Sequence, residues 1–224
     1  MGLPLTSGPV AVFIALEQGT AFAAAAAVGA LAGAIAEALF CLVYGRVVLR
    51  ASWGPALAWA CLAFALAGLA LQIVPLPLFP VALVAFTSFA LVRRLVPAGS
   101  NASGAGRLPA WDIPARMVIT TVLVVLLTEM APVLGARLSG LLATFPLYAA
   151  IMTAFAHRLE GPGPALRVLR GLLLGLFAFA GFFVVLGALI ERTGIATAFV
   201  AATAATLAIQ AGSLGVMLAH RARA

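Results

Sequence analysis

The chain has 224 residues, of which 65% are hydrophobic and 8% charged, with a formal net charge of +7 and a mean hydropathy of +1.20. A soluble domain carries about 25% charged residues. The 13 basic and 6 acidic side chains here therefore exclude a soluble enzyme, a disordered chain, a coiled coil and a secreted disulfide scaffold. The basic residues are all arginine and are spread thinly between apolar stretches. That pattern is an orientation signal in a membrane protein rather than a nucleic-acid footprint, so the bilayer is the expected partner and no nucleic acid is.

The expected fold class is all-α: a polytopic integral membrane helical bundle of about eight transmembrane helices, with seven as the alternative. A crossing needs about 20 apolar residues. Apolar stretches run over residues 3–16, 20–48, 54–73, 76–95, 115–134, 139–157, 165–190 and 194–218. The first two need a break between them, because one helix over residues 8–48 would be about 60 Å long. Glu17-Gln18-Gly19-Thr20 and the Gly29 to Gly33 region are the two candidate turns. The first choice leaves a short opening helix. Ala21-Phe22-Ala23 has the small residues of a signal-peptide cleavage site, but no basic n-region precedes it, so the segment reads as a retained helix.

Placing the N-terminus of an eight-helix chain in the cytoplasm puts Arg46, Arg50, Arg93, Arg94, Arg107, Arg116, Arg158, Arg167, Arg170, Arg221 and Arg223 on that side, and only Arg137 and Arg192 on the other. This positive-inside bias puts the C-terminus in the cytoplasm. The absence of lysine beside abundant Ala, Gly, Leu and Val reads as bacterial coding bias, so the expected location is a bacterial inner membrane. Residues 97–114 form the only hydrophilic stretch of any length and read as a cytoplasmic linker between transmembrane halves at 1–96 and 115–224. Trp53 and Trp111 fall where indole rings favour the headgroup zone. Ser7-Gly8 with Phe13 matches Ser139-Gly140 with Phe145, the pattern of an inverted repeat relating helices one to three with six to eight. A plain four-plus-four arrangement is the alternative.

No P-loop, GxGxxG or zinc spacing occurs, so no cofactor and no metal are expected. Cys41 and Cys61 lie in apolar runs as small buried residues. His157 and His220 are the only histidines. His157 reads as a boundary residue beside Arg158, and no Ser or Cys pairs with either histidine, so an enzyme is not expected.

An ionisable side chain deep in the bilayer costs about 2.5–3.5 kcal/mol on insertion scales and is a functional candidate by default. Asp112, Glu160 and Glu191 fall in loops or at interfaces. Glu37 lies nine residues before Arg46, about 13 Å from the end of its helix. It follows Gly29, Gly33 and Ala36, a small-residue stripe suited to close helix packing. Glu129 lies 13 residues past Arg116, about 19 Å along its helix, and Pro132 after it frees a carbonyl one turn earlier. Glu17 falls near the outer end of the first helix. A carboxyl buried away from charge holds its proton to higher pH than a solvated one. Glu37, Glu129 and Glu17 are thus candidates for proton or cation coupling. Their alternative role is to fix helix packing as protonated or arginine-paired acids. Around Glu129, Thr128 and Pro132 join Thr144, Pro146 and Tyr148 as candidate substrate-binding residues. Pro146 is expected to kink or break helix six and expose carbonyls there, unless it is an ordinary proline kink. Gln210, Thr120 and Thr121 are lesser pore-lining candidates, since such residues often bond to their own helix carbonyls.

Ser7-Gly8-Pro9-Val10, then Gly19, then Gly29-x-x-x-Gly33-x-x-x-Glu37, resembles the opening of the LysE/RhtB-type amino-acid exporters. That family has a Pro-Gly-Pro turn followed by a Gly-rich second helix bearing an acid. The sequence departs from it in Ser7 for the first proline, in Glu37 for an aspartate, and in eight expected helices against six. Residues 137–151, RLSGLLATFPLYAAI, resemble a segment of the GlpM-like small bacterial membrane proteins. The resemblances imply a small inner-membrane transporter. The functional expectation is therefore a secondary transporter, a proton-coupled exporter of a small polar metabolite or ion working by alternating access, with a homodimer as the assembly suggested by analogy. The alternative is a non-transporting membrane subunit or envelope and lipid assembly factor. The charge bias yields a direct test: a fluorescent reporter fused after Ala224 is expected to fold and fluoresce, and a periplasm-dependent alkaline phosphatase at the same point to stay inactive. The reverse pattern would invert the topology.

Overall fold

The computed structural model describes residues 7–73, 77–99 and 145–221, together with positions 114, 117–119, 121, 122 and 125. Among the described residues there is helix and no strand. The helices are α1 (Ser7–Gln18), α2 (Thr20–Val47), α3 (Trp53–Ile73), α4 (Leu78–Leu95), α5 (Leu147–Glu160), α6 (Pro162–Thr193) and α7 (Ile195–Arg221). Positions 114, 117–119, 121, 122 and 125 are also helical.

Among the described residues, five helices are long and apolar enough to cross a membrane: Thr20–Val47, Trp53–Leu71, Leu78–Leu95, Pro162–Thr193 and Ile195–Gly212. This is fewer than the eight expected, for physical reasons that differ by segment. With 12 residues, α1 spans only about 18 Å, against a hydrocarbon core of about 30 Å. With 14 residues, α5 reaches about 21 Å, and the first part of the expected 139–157 stretch lies outside the described residues. So does most of the expected 115–134 span.

The first two apolar stretches part at Gly19, the earlier of the two candidate turns, while α2 runs unbroken through Gly29 and Gly33. Gly19 has φ +87° and Gly194, between α6 and α7, has φ +81°. This is the left-handed region that a side chain disfavours, so one residue separates each pair of helices. The carbonyls of both glycines are used at once, accepting from the N–H groups of Ala23 and Ala198.

The chain divides into two compact units. The first comprises Met1–Ile35, Leu71–Leu91 and Leu172–Ala224. Its core holds Ala27 and Leu31 of α2, Phe89 of α4, and Leu173, Leu186 and Ile190 of α6, all fully buried. Phe86 and Phe89 meet Phe177 with ring centroids 6.0 and 5.5 Å apart. Gly187 of α6 admits close approach: a Cβ there would lie 3.1 Å from Leu78 Cδ1 and 3.2 Å from Ala27 Cβ. The small-residue contact of α2 therefore runs through Ala27 rather than through Gly29, which is exposed.

The second unit comprises Ala36–Ala70 and Val92–Gly171, so each unit draws on residues both before and after 97–114. Within it, Arg158 lies over the Trp53 ring at 5.5 Å, and Phe145 meets Phe64 edge-on at 5.4 Å. The C-terminal end of α5 thus lies at the N-terminal end of α3, and the chain entering α5 lies further along α3. The two helices are antiparallel. Because α2 and α3 are joined by five residues and so run antiparallel, α2 and α5 run in the same direction. Replacing Gly187 by leucine is expected to destabilise the fold by about 1–3 kcal/mol through overpacking, read as a lower midpoint of thermal unfolding in detergent. An unchanged midpoint would show that the α2–α6 contact is loose.

Candidate functional site

The second unit gathers Arg46, Arg50, Arg93, Arg94, Arg158, Arg167 and Arg170. Arg46 Nε donates to the Leu95 carbonyl at 3.1 Å and Arg170 Nη1 to the Val96 carbonyl at 2.9 Å. Carbonyls at and just beyond the end of α4 have no helical partner, and guanidinium groups satisfy them while opposing the negative end of the helix dipole. Arginines from α2 and α6 in this way tie down the end of α4.

Glu37 is in the same unit, nearly three turns from this end of α2 and half-buried. At about 100° per residue, the fully buried Ala36, Ala38, Phe40, Cys41 and Tyr44 fall on both sides of it. Glu37 is therefore near the middle of the buried face of the α2 segment, where the packing expectation put it. Among the described residues it has neither a hydrogen bond nor an arginine partner. The Cys41 thiol lies one turn on along the same helix.

Continuing along that face, Tyr44 follows Glu37 by seven residues, two helical turns. Tyr44 is fully buried, and its hydroxyl lies 3.3 Å from His157 Nδ1 of α5. The two rings meet nearly edge-on, with centroids 6.0 Å apart. A neutral His157 with bare Nδ1 accepts from the phenol; the other tautomer donates to it. His157 sits at the end of α5, outside the five candidate spans, and burial lowers its pKa below 6.5. One turn back from His157 on α5 is Thr153, fully buried, with no hydrogen-bond partner for Oγ1.

Of the other expected site residues, Glu17 is exposed in the last turn of α1, which belongs to the first unit. Pro146 is buried but does not kink a helix: it immediately precedes α5, and its carbonyl accepts from the Ala150 N–H at 2.8 Å. Proline is tolerated at a helix start because no N–H is required of it there. Tyr148, 66% exposed, points away from the core of its unit. Thr128, Glu129, Pro132 and Thr144 lie outside the described residues, as does Thr120. Cys41 is buried and Cys61 partly so, both as free thiols. No group of three His, Cys, Asp or Glu able to hold a metal ion occurs among the described residues.

Tyr44 was not singled out by sequence, and His157 was read only as a boundary residue. The signal lay in the spacing: Glu37, Cys41 and Tyr44 at i, i+4 and i+7, and Thr153 with His157 at i, i+4, each put polar groups on one helix face. No protein-family model, curated protein or solved structure matches this chain.

The histidine supplies a pH test. A lowered pKa means that the folded state favours the neutral ring, so the unfolded chain binds the proton more readily below pH 6.5. Stability is expected to be full above that pH and to decline as the pH falls through the histidine range. Thermal unfolding in detergent between about pH 7.5 and about pH 5 should show a steeper acid-side loss for the native protein than for His157→Gln. Parallel curves would mean that His157 is as solvated as in the unfolded chain.

Proposed function

We propose that this chain is a secondary transporter of a bacterial inner membrane, exporting a small polar metabolite or ion in exchange for protons by alternating access. In this reading eight helical segments thread the bilayer, both termini are cytoplasmic, and the arginine-rich unit marks the cytoplasmic side. The observation that carries the proposal is Glu37: a carboxyl in the middle of a packed helix face, within a candidate span, with no cation or hydrogen-bond donor holding it among the described residues. A carboxyl that fixes packing as a charged group needs such a partner, because an unpaired buried charge is expensive. A carboxyl that must take up and release a proton needs to be free of one. Glu129, in the second half of the sequence, is proposed as the companion coupling group.

The resemblance to amino-acid exporters selects the first substrates to try. Purified protein in liposomes containing a pH-sensitive dye, loaded with a radiolabelled mixture of amino acids, is expected to show amino-acid efflux accompanied by proton uptake. Glu37→Gln is expected to reduce the coupled proton movement to the level of protein-free liposomes. If the native protein moves neither protons nor label, or if Glu37→Gln and Glu129→Gln leave flux and its pH dependence intact, the reading gives way to a non-transporting membrane subunit.

A further inference from the structure

Five helical hydroxyls among the described residues bond back to their own helix, and buried Thr153 does not. Thr87 donates to the Leu83 carbonyl, Ser88 to that of Ala85, Thr193 to that of Leu189, Thr203 to that of Phe199 and Thr206 to that of Ala202. Back-bonding of this kind is how a hydroxyl is satisfied without water. Thr153 is fully buried, as is Thr206, yet its Oγ1 has no partner. Leaving a buried hydroxyl unpaired costs about 1–3 kcal/mol, and such a group calls for an occupant or a role.

Its position suggests the role. Because α2 and α5 run the same way and Tyr44 meets His157, one turn back from that contact puts Thr153 on α5 at about the level of Cys41 on α2, with Glu37 one turn further. The groups follow in sequence along the two helices. Cys41 lies one turn past Glu37 on α2, and Tyr44 is hydrogen-bonded to His157. Besides these, the charged groups at this end of the unit among the described residues are Arg158 and Glu160 on α5, Arg46 on α2, Arg50 just after it, Arg93 and Arg94 on α4, and Arg167 and Arg170 on α6.

We propose that Thr153, Tyr44 and His157 line an internal proton path between Glu37 and the arginine-rich end, and that the Thr153 hydroxyl is the anchor for water in it. The separation requires water: from Tyr44 to Glu37 the helix advances about 10 Å, too far for direct transfer. His157 takes a proton on one ring nitrogen and gives one from Nδ1 to the Tyr44 oxygen. The phenol passes its own proton to the water held at Thr153, and the water passes one to the Glu37 carboxylate. Each relay group ends with the protons it began with, and one proton has moved. Emptying Glu37 towards this end runs the same steps in reverse.

The inference rests on the transporter reading, and the test separates the two. In the amino-acid-loaded, dye-containing liposomes, Thr153→Val and Tyr44→Phe are expected to lower coupled proton flux by about tenfold or more, the scale of a lost proton-transfer group. Amino-acid-for-amino-acid exchange, which needs no proton turnover, should stay at the native rate. Thr153→Ser, which keeps the hydroxyl, should restore the flux. The melting temperature of Thr153→Val should equal or exceed the native value, because an unpaired buried hydroxyl is removed for a methyl of the same shape. Native coupled flux in Thr153→Val, or exchange that falls in step with it, overturns the path while leaving Glu37 as the coupling group. Native-level coupling in Glu37→Gln, or no flux at all from the native protein, overturns the transporter reading and the path with it.

Discussion

In hydrocarbon a backbone N–H or C=O has no water to turn to, so each must be satisfied within its own helix. The layout of this chain follows from that requirement. Its long helices run through alanine, leucine and glycine without interruption, and where the chain must turn it does so in very few residues. Gly19 and Gly194 each separate two helices alone, with their carbonyls already accepting from the next helix. At the ends, where helical carbonyls run out of partners, arginines supply them: Arg46 and Arg170 reach across from other helices to Leu95 and Val96.

The same requirement sorts the polar side chains. A hydroxyl in a dry helix returns to its own backbone, and five here do. What stands apart is the small set that does not: Glu37 without a cation, Thr153 without any partner, and Tyr44 bonded across to His157. All belong to one compact unit, on α2 and α5. In an environment where unpaired polarity is costly, groups left open in one region are the natural place to look for proton movement. The first unit is of a different character, with phenylalanines of α4, α6 and α7 packed edge to face and two close glycine contacts, Gly181 against Ile209 and Gly187 against Leu78 and Ala27.

Much of the helical layout was legible in the sequence because it rests on composition along the chain. The break at Gly19 and the turn before α7 follow from residues that interrupt apolar runs. The burial of Glu37 also followed from helical period, since its neighbours at three and four residues are small or apolar. Pro146 was expected to kink or break a helix; it stands immediately before α5 rather than inside it, so it does not kink α5, and the chain before Phe145 lies outside the described residues. Gly29 was likewise assigned to a packing face that Ala27 provides, because small residues occur on every side of α2.

Sequence by itself determined the helical class, the long apolar segments and the scarcity of charge. These are sums over local residues, and the bilayer acts on each segment separately. Only the tertiary structure decided which helix faces meet. That α2 and α5 run in the same direction, bringing Tyr44 to His157 across 113 residues of chain, is settled by contacts such as Arg158 on Trp53 and Phe145 on Phe64. No periodicity along one helix specifies its neighbour, because a face of alanine and leucine packs against many others at nearly equal free energy.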